Sequence, residues 1–259
     1  NTSFRGPAAL WVEWDPARNP ERLRPGGLAQ PAPFYIGPPA RDGITRRVVV
    51  RERHEEGEGL VRLVLADPAG GRMPGWTAGA HVDLVAGGFR RKYSLCGTAD
   101  DTGRLEVVVQ REAQGRGGSR HFCDHLGVGD TLRLAGPKNL FRLDETAARY
   151  VLVAAGIGIT PIKAMALELL AQGREFELHY AYRSRGEAAY LDRLERQVGG
   201  RLISYDASAQ RKLDVAALLQ NAPAGSHLYV CGPARLIDAV NDAARAQGLS
   251  SERVHHEAF

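Results

Sequence analysis

Residues 150–165 constrain the fold more than any other stretch. They read Tyr-Val-Leu-Val-Ala-Ala, then Gly156-Ile157-Gly158-Ile159-Thr160-Pro161, then Ile-Lys-Ala-Met. A short, Val-rich, nearly all-apolar run suits a strand covered on both faces, as in a parallel sheet. Gly156 and Gly158 predict a tight turn with little side chain to keep a flat ligand away. Pro161 suits the opening of a helix, where a missing amide hydrogen forfeits no bond, and Leu167, Leu169 and Leu170 continue an apolar helical pattern. Strand, turn and helix together set a helix N-terminus at a strand end, where anions bind. The third glycine of G-x-G-x-x-G is absent, and a glycine turn alone is more often plain structure than a site. Other residues must decide.

The pattern alternates from residue 144 onward. Strands are predicted at 150–155, 175–181, 201–205, 227–231 and 253–257, with helices at 161–171, 187–196, 215–220 and 233–247. Alternation of this kind builds a parallel sheet with helices on both faces. Residues 44–143 read differently: short strand-like runs at 46–51, 60–66, 81–85, 90–95, 105–110 and 131–134, separated by Gly and Pro. These predict a small antiparallel barrel, with 81–85 and 90–95 as a hairpin around Gly87-Gly88. The fold class is therefore β followed by α/β.

Residues 1–43 stand apart. Eight prolines between Pro7 and Pro39 break any regular element, yet Trp11, Trp14, Phe34 and Tyr35 are interspersed. Two readings stay open: an extended linker lying on a domain surface, or a disordered tail. The first residue is Asn1 rather than Met, which suggests a piece of a longer chain.

Bulk properties exclude several classes. The 259 residues hold 44% hydrophobic and 25% charged residues, with no apolar run able to span a bilayer and no signal-peptide pattern. Net charge is +4 with only four lysines, and the arginines are scattered among acids, so no nucleic-acid footprint forms. Cys96, Cys123 and Cys231 are far apart and odd in number, which supports neither a metal site nor a disulfide framework. His255-His256 face opposite ways on a strand and read as ordinary. A reduced, cytoplasmic protein is the expectation.

Four places carry candidate chemistry. Arg91-Lys92-Tyr93-Ser94-Leu95-Cys96 could lay Tyr93 on an aromatic ring, offer Ser94 to its edge and send Arg91 to a phosphate; an amphipathic strand is the plain alternative. Arg116-Gly117-Gly118-Ser119 precedes a short helix, with Ser119 as N-cap and free amides for a phosphate; a simple loop reads equally well. The third is the turn at Gly156, with Thr160 aimed at the cleft. The fourth, Cys231-Gly232-Pro233, lies on the same side of the parallel sheet, outside the strands' carboxyl ends. Cys231 alone would more often be a buried structural thiol.

The ordered series R-x-Y-S-L, G-R-G-G-S, G-I-G-I-T-P, C-G-P and a terminal aromatic resembles the ferredoxin–NADP⁺ reductase superfamily, and within it the phthalate dioxygenase reductase family, over residues 44–259. The resemblance implies an FMN-binding barrel and a nicotinamide-nucleotide domain at 144–259. Arg91, Lys92, Tyr93, Ser94 and Leu95 would then line the isoalloxazine, and Arg116, Gly117, Gly118 and Ser119 the phosphate. Gly156, Thr160, Pro161, Cys231, Gly232 and Pro233 would flank the nicotinamide. Phe259 would pack near the flavin, while Ser94 and Glu257 help place the nicotinamide ring. Hydride would pass from nicotinamide to FMN, and electrons singly onward to a 2Fe-2S ferredoxin domain, expected C-terminal on the full chain. The Pro- and Trp-rich start is similar to the linker of self-sufficient cytochromes P450, which implies a haem oxygenase domain on its N-terminal side.

Coenzyme choice turns on Tyr182-Arg183-Ser184-Arg185-Gly186. No acid stands there to grip a ribose 2′-hydroxyl, so Ser184 with Arg183 or Arg185 favours the 2′-phosphate of NADPH, with NADH the alternative. Other readings of the whole are a stand-alone flavin reductase, the reductase of a ring-hydroxylating dioxygenase or demethylase, and a non-enzymatic binding module.

Overall fold

A computed structural model describes residues 45–259. The predicted linker at 1–43 lies outside the described residues.

The first half is antiparallel. Strands β1 (Thr45–Gly57), β2 (Leu60–Ala66), β3 (Ala80–Ala86), β4 (Phe89–Ser94), β5 (Arg104–Gln110) and β6 (Thr131–Asn139) form one sheet in the order β4-β3-β6-β1-β2-β5. The expected barrel is a curled sheet whose edges approach each other: the Cys96 amide, two residues past β4, donates to the Glu106 carbonyl on β5 at 3.0 Å. Alternate residues such as Val48, Val50, Leu63, Leu65, Val82, Leu84, Val107 and Val109 fill the concave side, with Phe122 from the short helix α1 (Gly118–Asp124) closing it. Each fully buried Leu or Val there contributes about 1.5–3 kcal/mol relative to exposure.

The second half is parallel. Strands β7 (Arg149–Ala155), β8 (Phe176–Tyr182), β9 (Leu202–Asp206), β10 (Ser226–Gly232) and β11 (Val254–Ala258) take the order β11-β10-β7-β8-β9. Helices α2 (Ile159–Ala171), α3 (Leu191–Val198), α4 (Val215–Asn221) and α5 (Ala234–Ala246) connect them. Side chains alternate between two cores. Val151, Val153, Leu228 and Val230 pack with Leu218, Leu219, Ile237 and Val240. Tyr150, Leu152, Ala154, Tyr229 and Cys231 face α2 and α3, and that core also takes Leu60, Cys96, Val108 and Phe141 from the antiparallel half. Apolar burial is thus continuous between the two sheets.

Some local expectations change. The helix predicted at 187–196 begins only at Leu191. A 3-10 turn occupies Arg185–Glu187, and Tyr190 caps the helix in the left-handed region at φ 62°. Helix α2 opens two residues early, behind a 3-10 turn at Gly156–Gly158, so Pro161 is third rather than first in the helix. Its missing N–H still falls among those lacking an intrahelical partner. Pro233 is the N-cap of α5, not its first residue.

Candidate functional site

The two glycines of the opening turn do different work. Gly156 takes φ +55° and has open space where a side chain would stand. Gly158 has none: a Cβ there would lie 2.2 Å from the Cys231 carbonyl oxygen and 2.9 Å from the Gly232 nitrogen. A bare residue lets the turn after β7 abut the end of β10. Gly232 is similarly tight, 3.0 Å from the Ala155 Cβ. Gly156, Thr160, Cys231 and Gly232 therefore converge at the carboxyl ends of β7 and β10, where sequence places them.

The Thr160 hydroxyl does not point outward. It donates back to the Ile157 carbonyl at 3.0 Å, and the residue is buried. Such a bond satisfies the turn, since hydroxyls readily take local carbonyls. Cys231 is fully buried, and burial pushes its thiol well above the ordinary range, so it stays protonated. Its contribution at neutral pH is shape and main chain rather than thiolate chemistry.

Register on β11 brings in the far side. Cys231 pairs with Glu257 and Gly232 with Ala258, so Glu257 sits at the same strand ends. Its carboxylate accepts the Ser94 hydroxyl at 3.4 Å, reaching from β11 to the end of β4 on the other sheet. Burial raises the Glu257 pKa above 4.5, with Ser94 and Lys92 pulling the other way. Phe259, just beyond, is 57% exposed, unusual for a large aromatic.

Along β4 and just past its end, Ser94 and Leu95 are buried, Lys92 is exposed, and Tyr93 lies edge-on to Phe122 with centroids 5.4 Å apart. The Tyr93 hydroxyl is buried with no hydrogen-bond partner among the described residues. A buried polar atom without a partner costs about 1–3 kcal/mol, so a bound polar group that paired with it would be favoured. Arg91 has no carboxylate partner among the described residues. Its guanidinium lies over Gly118, where a Cβ would come 2.4–2.6 Å from Nε, Cζ and a terminal nitrogen. A glycine here lets the cation lie directly against the first turn of α1, a cradle of positive charge beside free amides. Gly117, not Ser119, is the N-cap, at φ 86°. The Ser119 hydroxyl instead accepts the Glu112 amide at 3.0 Å, fixing the loop that carries Arg116.

The Ser184–Arg185 site is partly engaged. Arg185 pairs with Asp192 at a very short distance and with Glu195 at 2.9 Å, and these carboxylates raise its pKa. Arg183 is the freer cation, 83% exposed with Glu187 at 3.6 Å. The loop also docks on the other sheet, since the Glu58 amide donates to the Gly186 carbonyl at 2.7 Å.

Sequence reading missed one cluster altogether. Lys163 in α2 is buried, donates to the Cys96 carbonyl through a very short bond, and stands 4.4 Å from the Tyr190 ring centre. The Tyr190 hydroxyl donates to Glu106 at 2.7 Å. A lone lysine inside an apolar helical run was the signal that could have found it. No group of metal-ligating side chains occurs among the described residues, nor any helix long and apolar enough to cross a membrane.

Known proteins share this arrangement. A family model described as an oxidoreductase FAD-binding domain matches residues 48–143, and one described as the N-terminal domain of dimethylamine monooxygenase subunit DmmA-like proteins matches 137–254. Phthalate dioxygenase reductase of Burkholderia cepacia is 34% identical over 226 residues, 85% of this chain and 69% of that protein. A solved phthalate dioxygenase reductase superposes with TM-score 0.79 at 33% identity over 83% of this chain and 68% of the other. The chain belongs to the phthalate dioxygenase reductase family. Members of this family are electron-transfer oxidoreductases, and the curled sheet plus parallel sheet is their fold. The beta subunit of a heme-dependent oxidative N-demethylase from Ectopseudomonas mendocina is 50% identical over 188 residues, 72% of this chain and 60% of that protein. An intact type IV self-sufficient cytochrome P450 monooxygenase matches 100% of this chain and 34% of its own, with 42% identity and TM-score 0.82. The chain spans about three-fifths to two-thirds of the length of the first curated relatives it matches.

Proposed function

We propose that this chain is the flavin- and nicotinamide-binding part of an oxygenase reductase. It takes hydride from NAD(P)H and passes electrons to a 2Fe-2S ferredoxin domain, for use by a haem oxygenase. The observation that carries the reading is the Ser94–Glu257 contact, which brings the end of β4 against the carboxyl ends of β10 and β11. A ring held along Tyr93 and Ser94 would there face a ring delivered past Gly156 and Gly232.

A bound flavin supplies the redox chemistry, accepting hydride and releasing electrons one at a time. The chain's residues do the holding. Tyr93 offers its orphaned hydroxyl, Ser94 an edge hydroxyl, and Arg91 a charge-assisted bond at the Gly118 cradle. Lys92, Leu95 and Arg116 border the same run. Cys231, Gly232, Pro233 and Thr160 form a dry floor beneath the nicotinamide, with Pro161 stiffening the helix start. Half-buried Glu257 orients the Ser94 hydroxyl, and Phe259 covers the ring when the coenzyme is away. Fixed donors around two stacked rings supply the orientation that hydride transfer needs.

FMN is the proposed flavin, because the cradle of Arg91, Gly117, Gly118 and Ser119 suits a terminal monophosphate. NADPH is the proposed coenzyme, held at its 2′-phosphate by Ser184 with Arg183, and with Arg185 once its carboxylates yield. Barrel and nucleotide-binding domain would divide near residue 143, behind the linker at 1–43. A cytoplasmic setting fits three free cysteines. Support for the partners comes from relatives: the solved phthalate dioxygenase reductase is described as a module for electron transfer from pyridine nucleotides to 2Fe-2S, and the self-sufficient P450 contains a segment like this whole chain. Identical residues shared with the N-demethylase subunit favour a demethylase partner as the second reading. Mass analysis of the small molecule released on denaturation tests the assignment: FMN supports it, FAD corrects the cradle, and a chain that retains no flavin overturns it.

A further inference from the structure

We infer that Lys163 is a positioning residue for hydride transfer, a role that rests on the reductase reading above. Its ammonium is buried where α2 meets the curled sheet, and it ties the two ring-holding segments together. On one side stands Cys96, two residues after Ser94; Lys163 donates to its carbonyl. On the other side, Lys163 follows Thr160 by three residues, within the first turns of the helix that opens at the glycine turn. A shift of the lysine therefore shifts the β4 end against the α2 start.

The surroundings fix the ammonium from every direction. Glu106 lies 3.7 Å away, and the Tyr190 ring 4.4 Å beneath. Tyr190 is itself held by Glu106 at 2.7 Å and by the Cys96 sulfur at 3.2 Å. The second Glu106 oxygen accepts Arg62 at 3.1 Å, and Arg62 also pairs with Glu56 at 3.0 Å. Arg193 completes the set, 3.5 Å from Glu56 and 5.4 Å from the Tyr190 ring centre. Burying charges is costly, and apolar residues of similar volume would often serve stability as well. A satisfied buried network instead fixes one geometry. Tyr190 also holds a left-handed backbone conformation, at φ 62°, in order to enter it. Hydride transfer needs that sort of fixed geometry, because a displacement of ~1 Å can cost about 100-fold in rate.

The test compares Lys163→Met, which keeps the volume, with Lys163→Arg and Tyr190→Phe. In the flavin-loaded chain, anaerobic stopped-flow mixing with NADPH should show flavin reduction at least about tenfold slower in K163M. The coenzyme Kd should change little, and the nicotinamide–flavin charge-transfer band should weaken. K163R should recover most of the rate. In the flavin-free chain, deuterium uptake should rise in peptides covering 93–98 and 186–191 and stay native at 149–155. A K163M reduction rate equal to wild type per bound flavin overturns the inference, as does uptake raised uniformly through the chain. Should K163M not fold, Y190F carries the same outcomes, since it keeps the ring and loses only the hydroxyl bonds. Failure of the wild-type chain to reduce its flavin overturns the reductase reading itself, whereas normal wild-type reduction with an unimpaired K163M overturns the inference alone.

Discussion

Replacing Gly158 with alanine tests how the two strand ends are held. The added Cβ would stand 2.2 Å from the Cys231 oxygen, 2.5 Å from its carbonyl carbon and 2.9 Å from the Gly232 nitrogen. All three are main-chain atoms, so no side chain can rotate away. The end of β10 must retreat by roughly 1 Å to restore ordinary contact. Overpacking of this kind costs about 1–3 kcal/mol, which lowers the thermal midpoint by roughly 2–12 °C in a domain of this size. Cys231 and Glu257 are paired across β10 and β11, so the retreat carries Glu257 away from Ser94. Flavin reduction by NADPH should then slow on the order of 100-fold. The control is Gly173→Ala, at φ +64° where Gly158 is at −58°, and with nothing within 4 Å of the new Cβ. It should lose about 1–2 kcal/mol from left-handed strain alone and keep its reduction rate. Differential scanning calorimetry and anaerobic stopped-flow give both numbers. A G158A chain with native midpoint and native rate would refute the close approach of the turn to β10.

Other substitutions separate binding from stability. Gly118→Ala pushes the Arg91 guanidinium aside rather than any backbone, so the flavin-free midpoint should hold while flavin affinity falls about 10- to 100-fold, read by fluorescence titration. Glu257 has its pKa raised by burial, so the folded chain holds this proton more tightly than the unfolded chain. Its stabilising contribution is present below pH 4.5 and is lost as pH rises through the folded value; Glu257→Gln should be flat across that window in urea titrations. Arg183→Ala should raise KM about tenfold for NADPH and leave NADH unchanged, and equal effects on both coenzymes would remove the 2′-phosphate assignment.

Much of this was legible from residue order. Tyr150–Ala155 is apolar on both strand faces because both faces are covered by helices, and the structure shows its alternate side chains in two separate cores. The hairpin at Gly87-Gly88 pairs Phe89 with Ala86 and Ser94 with His81 as its alternation required. Local competition was not legible. Ser119 is a favourable cap by type, but its hydroxyl is taken by the Glu112 amide, seven residues back. Thr160 points inward because its hydroxyl donates to the Ile157 carbonyl three residues back. Arg185 is claimed by Asp192 and Glu195, residues brought close only when α3 starts late at Leu191. The Lys163–Glu106–Tyr190 cluster joins residues up to 84 positions apart, which no local pattern announces.

In the proposed function, the Tyr93–Ser94 run and the Gly156–Cys231 strand ends hold two rings face to face. Anaerobic mixing of the flavin-loaded chain with NADPH deuterated at the transferring position tests it most directly. The flavin's visible absorption should bleach in one main phase, slowed by the deuterium. A chain that keeps its flavin yet does not bleach with either NADPH or NADH would contradict it.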